Sequence, residues 1–465
     1  MFFLPFGLLL CQALLSTAEQ CQLRLNLNLN DPTIPTSTTI GNGSDNNSAT
    51  ASGTDRPPDS TPTRQPFDYG SEKIRGVNLG GWFVLEPWIT PSIFENTNDD
   101  TIVDEYTLGL KRNNDETKKM LEDHWNTWIT EDDFRQIAEA GLNHVRIPFG
   151  YWSVPMTSRD TNENTSPSPY IPGAWPYLLR ALNWAAAHNV HVIIDIHGAP
   201  GSQNGYDNSG QRTDDPRWAY NPTNVSRTID TIKYIAREAG GMIDILELLN
   251  ESAGFRSSEW AAVTRQFWVD GYHAVREAAG DDLKIMIGDA FLGVNNWRNF
   301  LTYPDAQGVL MDFHQYQIFS NAELARSPED HVQFACTMKD TISEYSATNL
   351  WTVMGEWSNA ATDCTKWLNG FGRGARWDGT YQQADMRAFG SCDGYTGNMS
   401  GFSDEYKAFL RRYWEVQVEI GESAQGWVFW TWKAENSDDW SYQRGLEGGW
   451  IPKDPKNRMY PNICS

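Results

Sequence analysis

Two glutamates, each at the end of a short apolar run, are the residues of this 465-residue chain best placed to do chemistry. Glu251 closes Ile243-Asp-Ile-Leu-Glu-Leu-Leu-Asn-Glu, and Glu356 closes Trp351-Thr-Val-Met-Gly-Glu. Runs this short, apolar and partly β-branched read as strands of a parallel sheet covered on both faces. A carboxylate at the C-terminal end of such a strand gains nothing from burial, so it is held there for a purpose. In a (β/α)8 barrel that end collects active-site groups from several strands. Two carboxylates on two strands of one barrel are the parts needed for glycoside hydrolysis. A pair of solvated surface acids is the plainer reading, and Asn250 beside Glu251, with aromatics around both acids, argues against it.

Other strand ends carry polar groups too. Arg146 sits in His144-Val-Arg-Ile-Pro, Asp195 and His197 in Ile194-Asp-Ile-His-Gly, and His314 and Tyr316 in Phe313-His-Gln-Tyr-Gln. Trp430 and Trp432 close the last run. Any one of these alone reads as a satisfied buried group, but six strands of eight ending this way exceeds what packing requires. The eight candidate strands are 74–81, 144–149, 191–198, 243–251, 283–290, 309–317, 352–357 and 427–432. Helical patterns lie between them. One spans Glu131-Asp-Asp-Phe-Arg-Gln-Ile-Ala-Glu-Ala, with Thr130 as N-cap and Gly141 as C-terminal stop; others cover 257–279 and 403–420. Strands alternating with helices predict one closed (β/α)8 barrel. An open doubly wound sheet is the alternative, and the absence of a Gly-rich phosphate loop after the first strand counts against it. The long connections 82–129, 199–222 and 358–401 all leave the C-terminal face, where such loops build a substrate pocket.

Composition narrows the substrate. Lys and Arg number 37 against 60 acids, a net charge of −23, which repels nucleic acid, anionic membranes and acidic polysaccharides. A neutral substrate fits best. With 21 Trp, 18 Tyr and 20 Phe there are more aromatic faces than a core of this size requires, and such faces stack on the C–H faces of sugar rings. The apolar start ending in Ser16-Thr17-Ala18 reads as a signal peptide over 1–18, although its basic segment is missing. Residues 19–66, rich in Asn, Thr, Ser and Pro, read as a disordered leader, leaving 67–465 as the catalytic domain. No other stretch spans a membrane, and the C-terminus lacks an anchor signal. Cys11 lies in the signal segment and Cys21 in the leader. The economical pairing of the rest is Cys336–Cys464 and Cys364–Cys392. Sequons at Asn42, Asn46, Asn164, Asn224 and Asn398 agree with export. No cofactor or metal is expected: there is no H-E-x-x-H, and His188 with His191 reads as structural.

Seven motifs in order resemble the fungal exo-β-1,3-glucanases of glycoside hydrolase family 5. They are Ile74-Arg-Gly-Val-Asn-Leu-Gly-Gly-Trp-Phe-Val-Leu-Glu-Pro-Trp-Ile, Val145-Arg-Ile-Pro, His197-Gly-Ala-Pro-Gly-Ser-Gln-Asn-Gly, Glu247-Leu-Leu-Asn-Glu, His314-Gln-Tyr-Gln, Gly355-Glu-Trp and Gly426-Trp-Val-Phe-Trp-Thr-Trp-Lys. The resemblance implies a secreted, monomeric, retaining enzyme that releases glucose from the non-reducing end of β-1,3-glucan. It implies Glu251 as acid/base and Glu356 as nucleophile, with Arg146 keeping Glu356 charged and Glu251 neutral. It also implies Asn250 at the sugar 2-OH, Tyr316 near Glu356, and His197 and His314 on ring hydroxyls. Trp430 would be the stacking floor, and Glu86 and Asn208 would close the glucose pocket. Tyr206 and Phe319 would clamp the departing chain. Two departures stand out. Ser252 replaces the usual Pro after the acid/base and is expected to loosen that turn. Tyr206 replaces a Phe. The competing substrates are β-1,6-glucan and a glucosyl lipid, and the competing class is a non-catalytic wall-binding protein.

Overall fold

The computed structural model describes residues 64–156, 169–381 and 387–465. The signal segment, the leader up to residue 63, Cys11, Cys21, Asn42, Asn46 and Asn164 lie outside the described residues. Eight parallel strands pair in chain order and close into a barrel. They are β1 (Ile74–Asn78), β2 (His144–Gly150), β3 (His191–Gly198), β4 (Ile245–Glu247), β5 (Lys284–Gly288), β6 (Val309–Gln315), β7 (Trp351–Trp357) and β8 (Gly426–Phe429). β8 returns to β1 with Ile74 opposite Gly426. Helices between the strands cover the outside, which gives the expected (β/α)8 architecture.

The barrel interior is layered. Ile74, Ile193, Ile245, Met286, Leu310, Val353 and Val428 form one fully buried apolar cluster, closed from below by Tyr69 and Phe67. Two residues further along, where period-2 alternation brings the next inward side chain, β3, β4 and β6 carry Asp195, Glu247 and Asp312. With Asn78 and Arg146 they make a buried polar layer resting on an apolar floor. That floor excludes water from beneath, so the polar groups above must satisfy one another.

The helices start where the sequence predicts. Thr130 and Asp133 form a capping box for the helix Glu131–Glu139, and Gly141, at φ +73°, lets the chain leave it. The other two expected helices are observed as Ser258–Ala279 and Asp404–Ser423, capped by Ser257 and Ser403. Residues 64–66, assigned to the leader on composition, run along the base of the barrel. There Arg64 pairs with Asp244 at 2.8 Å and the Gln65 amide donates to Asn189 at 2.8 Å. An ion pair and a capped amide hold a segment whose side chains are too polar to form a core.

Five strands, β1, β4, β5, β6 and β8, are shorter than expected, and the differences in β4 and β8 bear on the site. β4 ends at Glu247, and the chain then turns, the Asn250 amide donating to the Ile196 carbonyl of neighbouring β3 and Glu251 taking φ +45°. Glu251 is therefore on a turn rather than on the strand, although the apolar run continues through Leu248 and Leu249. β8 ends at Phe429, so Trp430 and Trp432 lie past it. Trp432 is fully buried and its indole N–H donates to Asp133, which removes it from the candidate site residues.

Disulfides join Cys336 to Cys464 and Cys364 to Cys392 across 128 and 28 residues. Loop-closure entropy credits the longer with about 5 kcal/mol and the shorter with about 3–4 kcal/mol. Replacing Cys336 and Cys464 by Ser should therefore lower the urea midpoint more than replacing Cys364 and Cys392; the reverse order would show that native-state strain, not chain entropy, governs both bridges.

Candidate active site

Arg146 stands at the centre of the polar layer, with no exposed surface. Its Nε donates to Glu247 at 2.7 Å, and Nη2 reaches Glu247 at 3.1 Å, Asn250 at 2.8 Å and Asp195 at 3.1 Å. Nη1 donates to Asn78 at 3.0 Å and to Glu356 at 2.9 Å. Burial works against the guanidinium charge, but Asp195, Glu247 and Glu356 hold its pKa well above normal. Burial in turn pushes Glu247 well above the carboxylate range despite Arg146. One cation cannot neutralise three carboxylates, so part of the layer stays protonated.

Glu356, from β7, accepts hydrogen bonds from Arg146 and from the Tyr316 hydroxyl at 3.0 Å. Glu251 accepts from Asn208 Nδ2 at 2.9 Å and from His314 Nδ1 at 2.9 Å. The same His314 nitrogen lies 3.4 Å from Glu356, and the other ring nitrogen meets Asp312 at 3.0 Å. An oxygen of Glu251 and one of Glu356 lie within 4.8 Å of each other.

The charge distribution differs from the expected one. Burial raises Glu356, with His314 and Arg146 pulling against it. Burial acts the same way on Glu251, but the hydrogen bond and charge of His314 and the Asn208 amide bring it below its ordinary value. His314 is opposed by burial and held well above normal by Glu356, Asp312 and Glu251. His314 thus holds a proton that is hydrogen-bonded to Glu251. His314 was expected on a sugar hydroxyl; instead both its nitrogens are engaged with carboxylates.

The other expected residues gather around this pair. His197 bonds Asp195 at 2.5 Å through Nδ1 and lies flat against Trp430, with centroids 5.5 Å apart. Asn250 gives its oxygen to Arg146, which turns its amide N–H toward the pocket side, 3.5 Å from His197 Nε2. Glu86 is buried; one oxygen accepts from Trp88 Nε1 at 2.9 Å and the other has no partner among the described residues. Burial, with Asp207 and Glu356 nearby, pushes its pKa well up. Asn208, expected to close the sugar pocket, is hydrogen-bonded to Glu251. Tyr206 and Phe319 keep 46% and 42% of their surface exposed. Ser252 does not loosen the turn. It is buried, shares a 2.7 Å hydrogen bond with Thr264 and accepts one from Trp260 Nε1 at 3.1 Å, which pins the turn to the helix Ser258–Ala279.

Sequence reasoning missed Asp207, Asp312, Glu247 and the exposed pair Phe255–Phe291. Asp207 has a carboxylate oxygen without a partner among the described residues, and burial pushes its pKa up to about 6. Phe255 and Phe291 meet edge to face at 5.6 Å. Phe291 also lines a cavity of about 180 Å3 beside Glu251, Asp289 and His314. For Asp312 a signal existed: it lies two residues before His314, on the same face of β6. Two groupings converge within 4.8 Å, Glu247–Asp312–His314 and Glu251–His314–Glu356, but each depends on an imidazole whose two nitrogens already donate to acids.

Comparison with known proteins follows the same lines. Residues 110–373 match the model described as cellulase (glycosyl hydrolase family 5). The glucan 1,3-beta-glucosidase of Blumeria graminis is 42% identical over 404 residues, covering 86% of this chain and 91% of that protein. The one from Schwanniomyces occidentalis is 43% identical over 409 residues, covering 86% and 92%. Among solved structures, rutinosidase from Aspergillus niger superposes with a TM-score of 0.62 at 20% identity, over 83% of this chain and all of that one, which speaks for the fold.

Removing the central cation should be costly. Arg146→Met leaves buried carboxylates without their partner, and the expected loss is roughly 3–5 kcal/mol of stability together with activity. Urea unfolding at neutral pH measures it. A stability within 1 kcal/mol of the parent would mean that the acids simply take up protons.

Proposed function

This chain belongs to glycosyl hydrolase family 5 and is a glycoside hydrolase, and on that footing we propose that it is a retaining exo-β-1,3-glucanase releasing glucose from chain ends. The observation that carries the retaining mechanism is the approach of Glu251 and Glu356 oxygens within 4.8 Å. Double displacement uses carboxyl groups about 5–5.5 Å apart, whereas inversion needs about 6.5–9.5 Å to seat a water. The names of the relatives favour a β-1,3-glucan substrate, and the charge of −23 suits a neutral polymer.

In this reading Glu356 attacks the anomeric carbon. Arg146 and Tyr316 hold one oxygen each, which fixes its aim, and the Arg146 charge offsets part of the cost of burying the carboxylate. Glu251 protonates the leaving oxygen. Its proton arrives along the 2.9 Å hydrogen bond from His314, so the two residues hold it jointly. After the glucan departs, Glu251 deprotonates water, which attacks the glucosyl–Glu356 ester and releases β-glucose. Asn250 donates to the 2-OH as positive charge develops at the ring. Trp430 stacks under the sugar, and Glu86 and Asp207, each with an oxygen to spare, receive hydroxyls at the closed end. Tyr206 and Phe319 grip the next residue. The enzyme works as a monomer outside the cell, where its disulfides persist, and it has no nucleic-acid partner.

Glu356→Gln should abolish turnover and leave the thermal midpoint within a few degrees of the parent, and a 2-deoxy-2-fluoro glucoside should label Glu356. Label on Glu251, or normal turnover by the Gln variant, would reverse the roles. NMR should show β-glucose before mutarotation, and α-glucose first would mean inversion.

Laminarin should yield glucose from the first minutes with slow loss of viscosity, while pustulan and a glucosyl lipid should be poorer substrates. Tyr206→Ala removes a stacking contact of roughly 1 kcal/mol and should weaken turnover of laminari-oligosaccharides more than that of small aryl glucosides. Early laminaribiose and longer oligomers would point to an open cleft and an endo enzyme.

A further inference from the structure

Glu251 lies on the turn after β4 and Glu356 on β7, yet one side chain touches the supports of both. Asp312, on β6, is buried. Its Oδ2 accepts from His314 Nε2 at 3.0 Å, and His314 donates onward to Glu251. Its Oδ1 accepts from the backbone amide of Gly355 at 2.7 Å, one residue before Glu356. The register explains how this is possible. Phe313 pairs with Met354 but His314 pairs with Glu356, so Gly355 is an extra residue bulged out of the β6–β7 ladder. A Cβ at position 355 would land on the Asp312 carboxylate, closer than real side-chain contacts allow. Position 355 is glycine because the carboxylate occupies the place of its side chain.

We propose that Asp312 is a positioning residue for both catalytic glutamates, one oxygen holding His314 against Glu251 and the other fixing the bulge that aims Glu356. This rests on the retaining reading above. Asp312 is buried and acts through its neighbours. The groups facing it and His314 are Arg146 from β2, Glu247 and Glu251 from β4 and its turn, Asp289 after β5 and Glu356 from β7, with Glu247 also hydrogen-bonded to Asp312. Among these His314 is the proton carrier in contact with Glu251, and Asp312 is the anion on its far side. Removing that anion lowers the affinity of the His314–Glu251 pair for its shared proton. The alkaline limb of kcat/KM reports loss of that proton, so it must move to lower pH.

Asp312→Asn is isosteric and keeps an acceptor for the Gly355 amide, so it separates the charge from the shape. It should shift the alkaline limb down by roughly one unit or more and cut kcat far more than KM. Gly355→Ala leaves Asp312 chemically intact but displaces its carboxylate, and should move the limb in the same direction. The double variant should shift it no further than the larger single change, because both act through one contact. Folding of each protein is checked by circular dichroism and the thermal midpoint. If both single variants fold and keep the parental alkaline limb, with only a uniform fall in rate, Asp312 is merely structural and the proposal is overturned. Glu251→Ala and Glu356→Gln made in parallel separate the two ideas. Activity surviving in those proteins would undo the double-displacement reading itself; inactivity there, with unshifted Asp312 and Gly355 variants, would remove only the role of Asp312.

Discussion

The structure depends on a guanidinium buried with more carboxylates than it can neutralise. Arg146 lies on an apolar floor that admits no water, and Asp195, Glu247 and Glu356 converge on it from three other strands. In such surroundings a charge survives only when its partners are geometrically fixed. The demand runs both ways: the cation needs the acids, and the acids cannot all ionise around one cation. Protons must therefore be shared within the layer, and proton sharing is what a glycosidase requires of its carboxyl pair. The barrel core supplies the chemistry as a consequence of its own electrostatics.

A second cation completes the arrangement. His314 stands between Glu251 and Asp312, and its charge is a product of the acids around it rather than of the imidazole alone. Arg146 is bonded to Glu356 and His314 to Glu251. The two cations differ in kind. A guanidinium keeps its proton, whereas an imidazole can pass one on, so the residue beside Glu251 is the one able to exchange protons. Tyr316 and Asn208 add neutral donors to the two glutamates, which orients the carboxylates without altering the charge count.

The pocket around this pair is built by chain that leaves the strands. Glu86 follows β1, Tyr206 to Asn208 follow β3, Phe319 follows β6 and Trp430 follows β8. A rigid barrel fixes the reacting groups, and irregular segments shape what reaches them. Ser252 illustrates the coupling. Its hydroxyl ties the turn carrying Glu251 to the indole of Trp260 and to Thr264, so the acid/base inherits the rigidity of the helix beneath it.

The sequence by itself determined the barrel, because eight apolar runs separated by helical patterns have few other ways to bury both faces of their strands. It also pointed to Glu251 and Glu356, which the fold brings within 4.8 Å of each other, since carboxylates closing apolar runs have no packing purpose. It did not determine where Glu251 sits. Leu248 and Leu249 extend the apolar run and look like strand, but the chain turns there, with the Asn250 amide bonded to the Ile196 carbonyl of neighbouring β3. The placing of His314 was out of reach for a related reason. Its ring could face sugar or protein, and only the convergence of Asp312, Glu251 and Glu356 from separate segments turns it toward protein. The bulge at Gly355 and the carboxylate that fills it depend on the pairing of two strands, a register that neither strand carries in its own residues. Local composition states which groups are present; which of them share a proton is decided when the closed sheet brings them within a hydrogen bond of one another.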